Sequence, residues 1–379
     1  MSATTTTCAP FSRAVVGAMK KLYPPALADS SWDNTGLLLE APFISSRRQS
    51  NNVLLTIDLT RAVADEAISL NSSIVVAYHP IIFRGLKALT LANTQQQTLL
   101  RLASHGISVY SPHTAVDAAP GGLGDWLADI VTGTKTSYNR SSSDADAEGR
   151  SGGPRGESEE NASVNKDQGL RPPMFKLNHH PSQTQLRLVK QSSPASTGIA
   201  HTRRPVVPQS PELESHPGAG MGRVVHFKEP QSLHTLLDRI GRGLNNPKGF
   251  PIAIPQNTSV SDITISSVGI CAGSGGSLLS NLDVDLIFTG EMSHHEALAA
   301  IEKGQVVINL FHSNSERGFL SEVLAEQLEN AVVREWSKIR TDESGDEHLK
   351  EALAEDDFEV IVSEADRDPY GFVILNDTE

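Results

Sequence analysis

Residues 53–80 read VLLTIDLTRAVADEAISLNSSIVVAYHP. Two apolar runs, Val53–Ile57 and Ile74–Tyr78, flank a segment of helical period that Thr60 can cap and that continues to Leu70. Runs this apolar suit strands buried on both faces, and the helix between them supplies the crossover that a parallel pair needs. The stretch is therefore a βαβ unit, and the same rhythm extends to either side. Upstream, Phe11–Tyr23 reads as an amphipathic helix stopped by Pro24-Pro25, and Gly36–Leu39 as a strand. Downstream come a helix over Thr94–Ser104, a strand over Ile107–Tyr110 and a helix opened by Gly121-Gly122 that runs through Ile130. Strands and helices in alternation predict an α/β fold with a mostly parallel sheet.

From about Thr134 to Gly220 this logic stops. Ser, Gly, Pro, Asn, Glu and Arg dominate, and no apolar period survives. Such a stretch buries too little surface to offset its ordering entropy, so 134–220 is expected to be a disordered insert, with His179-His180 solvated inside it. A second α/β block follows. Strands are predicted over Arg223–Phe227, Ile263–Ala272, Val284–Thr289 and Val306–Phe311, and late ones over Phe358–Val362 and Phe372–Leu375. Helices fall over Gln231–Gly241, Ser293–Lys303 and Ser315 to about Trp336. No internal repeat is visible. The domain plan is a disordered 1–10, a first α/β part over 11–133, the insert over 134–220, and a second α/β part over 221–379.

The chain has 379 residues, a hydrophobic fraction of 38% and a net charge of −13. Residues 341–379 hold 14 Asp and Glu against Lys350 and Arg367, a net of −12, so the rest is near neutral. That distribution lacks the basic footprint of a nucleic-acid binder. An acidic end reads first as a solvated surface, with docking to a basic partner as the alternative. No apolar run is long enough for a membrane helix. Two distant cysteines, Cys8 and Cys271, suit a reducing compartment. The cytoplasm is expected, and the Thr-rich N-terminus leaves the mitochondrion as the alternative.

The unusual polar chemistry sits in four segments: Tyr78-His79-Pro80, Pro112–Asp117, Ser293–Glu296 and His312–Arg317. Three of them follow apolar strands, and loops at the carboxyl ends of strands are where open α/β sheets bind ligands. His312 and Glu316 are one helical turn apart and can face one point. The alternative is a capping box, in which Glu316 serves the helix start at Ser313. Ser293-His294-His295-Glu296 matches the same box. His79, fixed before Pro80, and His113, four residues ahead of Asp117, each have a purely structural alternative as well. Together the imidazoles and carboxylates compose a divalent-metal site of hydrolytic type, compatible with zinc, iron, manganese or cobalt. The loop Gly273–Gly276 is read as a tight turn, with an anion nest as the alternative.

Five motifs in order, SWDNTGLL (31–38), YHPIIF (78–83), Ser111–Gly122, TGEMSH (289–294) and HSNSERG (312–318), resemble the Nif-three-like family. The name means NGG-interacting factor three, and its members are also described as GTP cyclohydrolase 1 type 2 homologs. The likeness covers 11–133 and 221–379. It implies two similar α/β domains packed around a metal-binding cleft, one or two divalent ions per chain, and a homo-oligomer in the form of a ring-like hexamer. By resemblance the metal ligands are His79, Asp117, His312 and Glu316, with Glu316 able to bridge two ions and His113 as the His of a His-Thr-x-x-Asp motif. One position departs. Tyr78 stands where the family has the first His of a His-His-Pro motif, and a phenol that titrates near 10 is a poorer ligand. The second ion is thus expected to bind more weakly here.

Two functional classes follow. The first is a metal-dependent hydrolase, of cyclohydrolase or phosphoesterase type, on a small nucleotide-like or phosphorylated substrate, with His113 and His294 as acid/base candidates. The second is an interaction protein with a structural metal, a transcription-regulator partner or scaffold that docks through the insert or the acidic C-terminal segment.

Overall fold

The computed structural model describes residues 8–134, 198–245, 247 and 249–371, together with the backbone of a short ribbon that pairs Met174–Phe175 with Leu186–Arg187. The main strands are β1 (Gly36–Leu39), β2 (Ser50–Thr56), β3 (Ser72–Ala77), β4 (Ser108–Ser111), β5 (His201–Arg204), β6 (Arg223–Ser232), β7 (Ile252–Ala253), β8 (Thr264–Ser274), β9 (Leu286–Glu291), β10 (Val306–Asn309) and β11 (Glu359–Val362). The helices are α1 (Pro10–Leu22), α2 (Arg61–Ser69), α3 (Thr94–Ser104), α4 (Thr114–Ala118), α5 (Leu123–Thr132), α6 (Leu233–Gly243), α7 (Gly276–Leu279), α8 (His294–Glu302), α9 (Arg317–Phe319), α10 (Ala325–Asp342) and α11 (Lys350–Ala354).

They form a five-stranded sheet, β1-β4-β3-β2-β11, and a six-stranded sheet, β7-β10-β9-β8-β6-β5. The first is parallel except at β1. In the second, β8, β9 and β10 are parallel, and β6, β5 and β7 run against their neighbours.

The βαβ unit forms as read, with the Thr60 side chain accepting from the Val63 N–H at the start of α2. Alternate residues take opposite faces of the sheet. Leu54, Val75 and Ala77 pack with Val63, Ala67, Leu99 and Leu102 of α2 and α3. Val53, Leu55, Ile74 and Val76 join Phe11, Met19 and Trp336 of α1 and α10. That second cluster continues through Leu123, Trp126 and Leu127 of α5 into Val268, Ile270 and Phe288 of the other sheet, so the two sheets share one core.

Three expectations change. Residues 8–10, expected to be frayed, are buried, because Pro10 and Phe11 open α1 against the core. Residues 198–220 are not insert: β5 pairs with β6, and Val207–Pro208 pairs with Gly220–Met221. Charged residues such as Arg203 disguise this stretch, since its polar groups are satisfied by α5 carboxylates of Asp125 and Asp129 rather than by water. The second block also does not keep the whole C-terminal part. The Trp336 indole packs edge-on against Phe11 at 5.6 Å, and β11 pairs with β2. The buried row Val53-Leu54-Leu55 needs a partner strand, and Val360-Ile361-Val362 supplies it. His179-His180 and the strand expected over 372–375 lie outside the described residues. Among the described residues no helix is long and apolar enough to cross a membrane.

Candidate metal centre

Carboxyl ends of strands from both sheets meet at one point. Asp58 follows β2, His79 follows β3, His113 follows β4, Gly273 is the penultimate residue of β8, Glu291 ends β9, and His312 follows β10. One ligand atom each from His79, His312 and Glu316 lies within 4.8 Å of the others. The His79 Nε2 is 3.5 Å from Glu316 Oε2, and the His312 Nε2 is 3.6 Å from Glu316 Oε1. Both are too long for hydrogen bonds. Two ligands of one tetrahedral ion, with bonds of about 2.1 Å, stand about 3.4 Å apart.

The outer partners sharpen this fit. His79 Nδ1 lies 2.9 Å from Asp58 Oδ1, and His312 Nδ1 lies 2.9 Å from Glu291 Oε1. A carboxylate only accepts, so Nδ1 is the donor in each bond, and the tautomer so selected turns the Nε2 lone pair to Glu316. With Glu316 ionised, lone pairs face carboxylate oxygens with no proton between them, which is the arrangement a cation resolves. Glu316 is 1% exposed, and its Oε2 is buried without a hydrogen-bond partner. Burial, then the charges of Asp117 and Asp58, push its carboxyl well above the usual range, against the opposing pull of Arg317.

Asp117 is half-buried and accepts from the Tyr78 hydroxyl at 2.7 Å. Burial raises its pKa, and the charges of His113 and His79 and the Tyr78 bond only partly offset that. Tyr78 is itself pushed well above 10 by burial and by Asp117 and Glu316, so it stays a neutral donor. Tyr78 therefore holds a neighbouring carboxylate in place. His113 Nδ1 lies 2.6 Å from Asp33 Oδ1, and its ring is 5.5 Å from that of His79. For Asp33 and Asp58, burial raises the pKa, but the bonded histidines outweigh it and both end lowered.

Of the sequence candidates, the structure brings His79, His312 and Glu316 into one cluster, with Asp117 and His113 beside it. His294 is not brought in. It sits exposed at the first position of α8, edge-on to the His295 ring at 5.3 Å. The two capping boxes part company here. That of Ser293 and Glu296 forms, with both reciprocal bonds. That of Ser313 does not: its hydroxyl donates to Asp368, and Glu316 turns inward. The continuous helix expected from Ser315 is instead a 3₁₀ turn, α9, a π-helical stretch over Leu320–Leu324, and α10. Asp58, Asp33 and Glu291 were missed. Their position at strand ends or inside the quoted motifs was the available signal.

Two backbone features hold the site under strain. His113 has φ of +35° and Phe311, just before His312, +67°, conformations that cost an L residue about 1–2 kcal/mol. Gly273 has φ of +57°, and a Cβ there would lie 2.8 Å from Glu316 Oε1 and 3.0 Å from His312 Nε2. The glycine loop is thus a tight turn under the ligand pair. At Gly276 a Cβ would meet Glu296 Oε1 at 2.3 Å. Gly273→Ala should displace both ligands and weaken metal binding by about 10–100-fold, measured by competition with a chelating dye. Unchanged affinity would show that Gly273 does not shape the site.

The acidic C-terminal part is not simply a solvated face. Asp366 accepts from the Ile57 N–H at 2.7 Å and pairs with Arg317 at 2.6 Å, behind Asp58 and Glu316.

The sequence signature of Duf34/NIF3 (NGG1p interacting factor 3) matches residues 12–346. A "Protein NIF3 homolog" of Schizosaccharomyces pombe is 40% identical over 319 residues, covering 84% of this chain and 88% of that protein. The "NGG1-interacting factor 3" of Saccharomyces cerevisiae is 33% identical over 362 residues, 94% of each. Among solved structures, a Bacillus cereus protein related to NIF3 superposes with a TM-score of 0.55 at 18% identity, covering 95% of this chain and 98% of that one. With the motifs in order and the signature spanning both sheets, the chain belongs to the Duf34/NIF3 family.

Proposed function

We propose that this protein is a divalent-metal-dependent hydrolase of a small nucleotide-like or phosphorylated substrate, with a centre able to hold two ions. One observation carries the reading: a fully buried glutamate turns one oxygen to each of two imidazole lone pairs. That is how a bridging carboxylate is placed, with Asp117 beside it for a second position. A bound zinc, iron, manganese or cobalt ion would supply Lewis acidity and acidify a water. The chain's own residues do the rest. Asp58 and Glu291 fix the imidazole tautomers, and Tyr78 orients Asp117. His113, aligned by Asp33, is the acid/base candidate. A cavity of about 480 Å³ opens beside His79, between the starts of α2 and α3, and suits a small substrate.

Metal analysis of untagged protein, followed by a screen of nucleotides and phosphoesters for ring opening or ester hydrolysis, tests this. His113→Ala should lower turnover by about 10²–10⁴-fold with metal content unchanged. Metal content below about 0.1 equivalent under every supplement would sink the proposal. A second reading rests on the name of the budding-yeast relative, NGG1-interacting factor 3: a protein-binding role in which the metal is structural. Partner capture that survives Glu316→Gln would favour it.

A further inference from the structure

The chain has three tryptophans. Trp126 and Trp336 are buried at 5% and 1% exposure, but Trp32 is 49% exposed and Phe83 beside it 47%. The two rings lie 5.9 Å apart at 45°. Neither floats. The Trp32 indole N–H donates to Asp29 Oδ2 at 2.8 Å, and the Asn34 side chain donates to the Ile82 carbonyl, tying the two loops together. Trp32 also packs edge-on to His113 at 5.7 Å, and His113 is 5.5 Å from His79. A rigid, half-exposed aromatic surface therefore ends one ring away from the metal centre.

We propose that Trp32 and Phe83 form the platform on which a planar heteroaromatic ring of the substrate, of nucleobase type, stacks. The inference rests on the hydrolase reading and names its substrate class. Fixed rings lose little freedom when a ligand stacks on them, and every nucleobase offers a π face. Exposed apolar side chains continue along the same loop to Leu86, Leu89 and Leu91. Of these exposed side chains, Trp32 is the one whose ring packs on His113. The occupant is thus one whose other end reaches the ligands at His79, rather than a second copy of this chain lying over the loop.

Trp32 is also the reporter, because the other two indoles are shielded. Full-length, metal-loaded protein is titrated with adenosine and guanosine 5′-monophosphate, and with ribose 5-phosphate as the base-free probe. Saturable quenching by a nucleotide but not by ribose 5-phosphate, lost in Trp32→Phe, is the expected result. By calorimetry Trp32→Ala should raise the nucleotide Kd by about tenfold or more, with metal content unchanged. An unchanged Kd in Trp32→Ala overturns the platform. So does a Trp32 emission that iodide cannot reach in a protein shown by light scattering to be self-associated, since a second copy would then cover the surface. Quenching retained in metal-free Glu316→Gln upholds the platform even if the metal reading fails. Full metal loading with no quenching by either nucleotide overturns the platform and leaves the metal reading standing.

Discussion

Glu316→Gln is expected to stabilise the metal-free protein while abolishing its stabilisation by metal. The carboxylate is 1% exposed and faces imidazole lone pairs rather than donors. Burial and the charges of Asp117 and Asp58 raise its folded-state pKa well above the unfolded value. A raised carboxyl pKa gives stability that is fully present below the unfolded pKa, near 4.3, and lost as pH rises through the folded one. Metal-free protein should therefore lose stability from about pH 4.5 upward, and Asp117, shifted in the same direction, adds to the slope. The amide carries no charge to bury, so Glu316→Gln should flatten that slope and gain about 1–3 kcal/mol near neutral pH. The native protein should gain about 4 kcal/mol from an ion at 1,000 times its Kd, and the variant almost none. Thermal unfolding with EDTA and with zinc or manganese, from pH 5 to 8, checks both halves. Equal stabilisation of the two proteins by the ion would remove Glu316 from the ligand set.

Arg223→Leu should cost about 3–5 kcal/mol of folding stability. Arg223 is 2% exposed and grips Asp125 through Nε at 2.7 Å and Nη2 at 2.9 Å. Its Nη1 donates to the carbonyls of Gly220 and Gly222, and its Nη2 also to that of Ala119. One guanidinium thus joins α5, the loop before it and the start of β6. Leucine would leave Asp125, itself buried, to Arg203 and the Gly121 N–H alone. Burial raises the Asp125 pKa, but the bonds and charges of Arg223 and Arg203 outweigh that and depress it. The contribution is present above the unfolded pKa near 3.9 and is lost as pH falls through the depressed value, so the variant should lose less on acidification. Urea unfolding at pH 7 and again at about pH 2–3, below the unfolded pKa, measures this. A cost below about 1 kcal/mol would mean that the pair is replaced by packing.

The site was partly legible. His79, His312 and Glu316 were readable because each follows an apolar strand, and strand ends converge in α/β folds. The outer carboxylates Asp58 and Glu291 were not, because a lone acid after a strand has many uses and only the distance to an imidazole gives it one. The local pattern Ser-x-x-Glu occurs twice and could not tell its two fates apart. At Ser293 the glutamate faces solvent and caps its helix, whereas at Ser313 the hydroxyl is taken by Asp368 and the glutamate is drawn between two histidines.

Sequence alone determined the βαβ core, the strand and helix of most of each block, and the residue types of the candidate metal centre. These follow from the period of apolar residues and from short-range turn chemistry, both of which are local. Tertiary structure decided what depends on partners distant in the chain. It sent Val360–Val362 to the first sheet because a buried strand there lacked an edge partner. It drew 198–220 into the fold, because Asp125 and Asp129 neutralise the arginines that make the stretch look solvated. It also made Tyr78 a donor to Asp117, since burial keeps its phenol protonated.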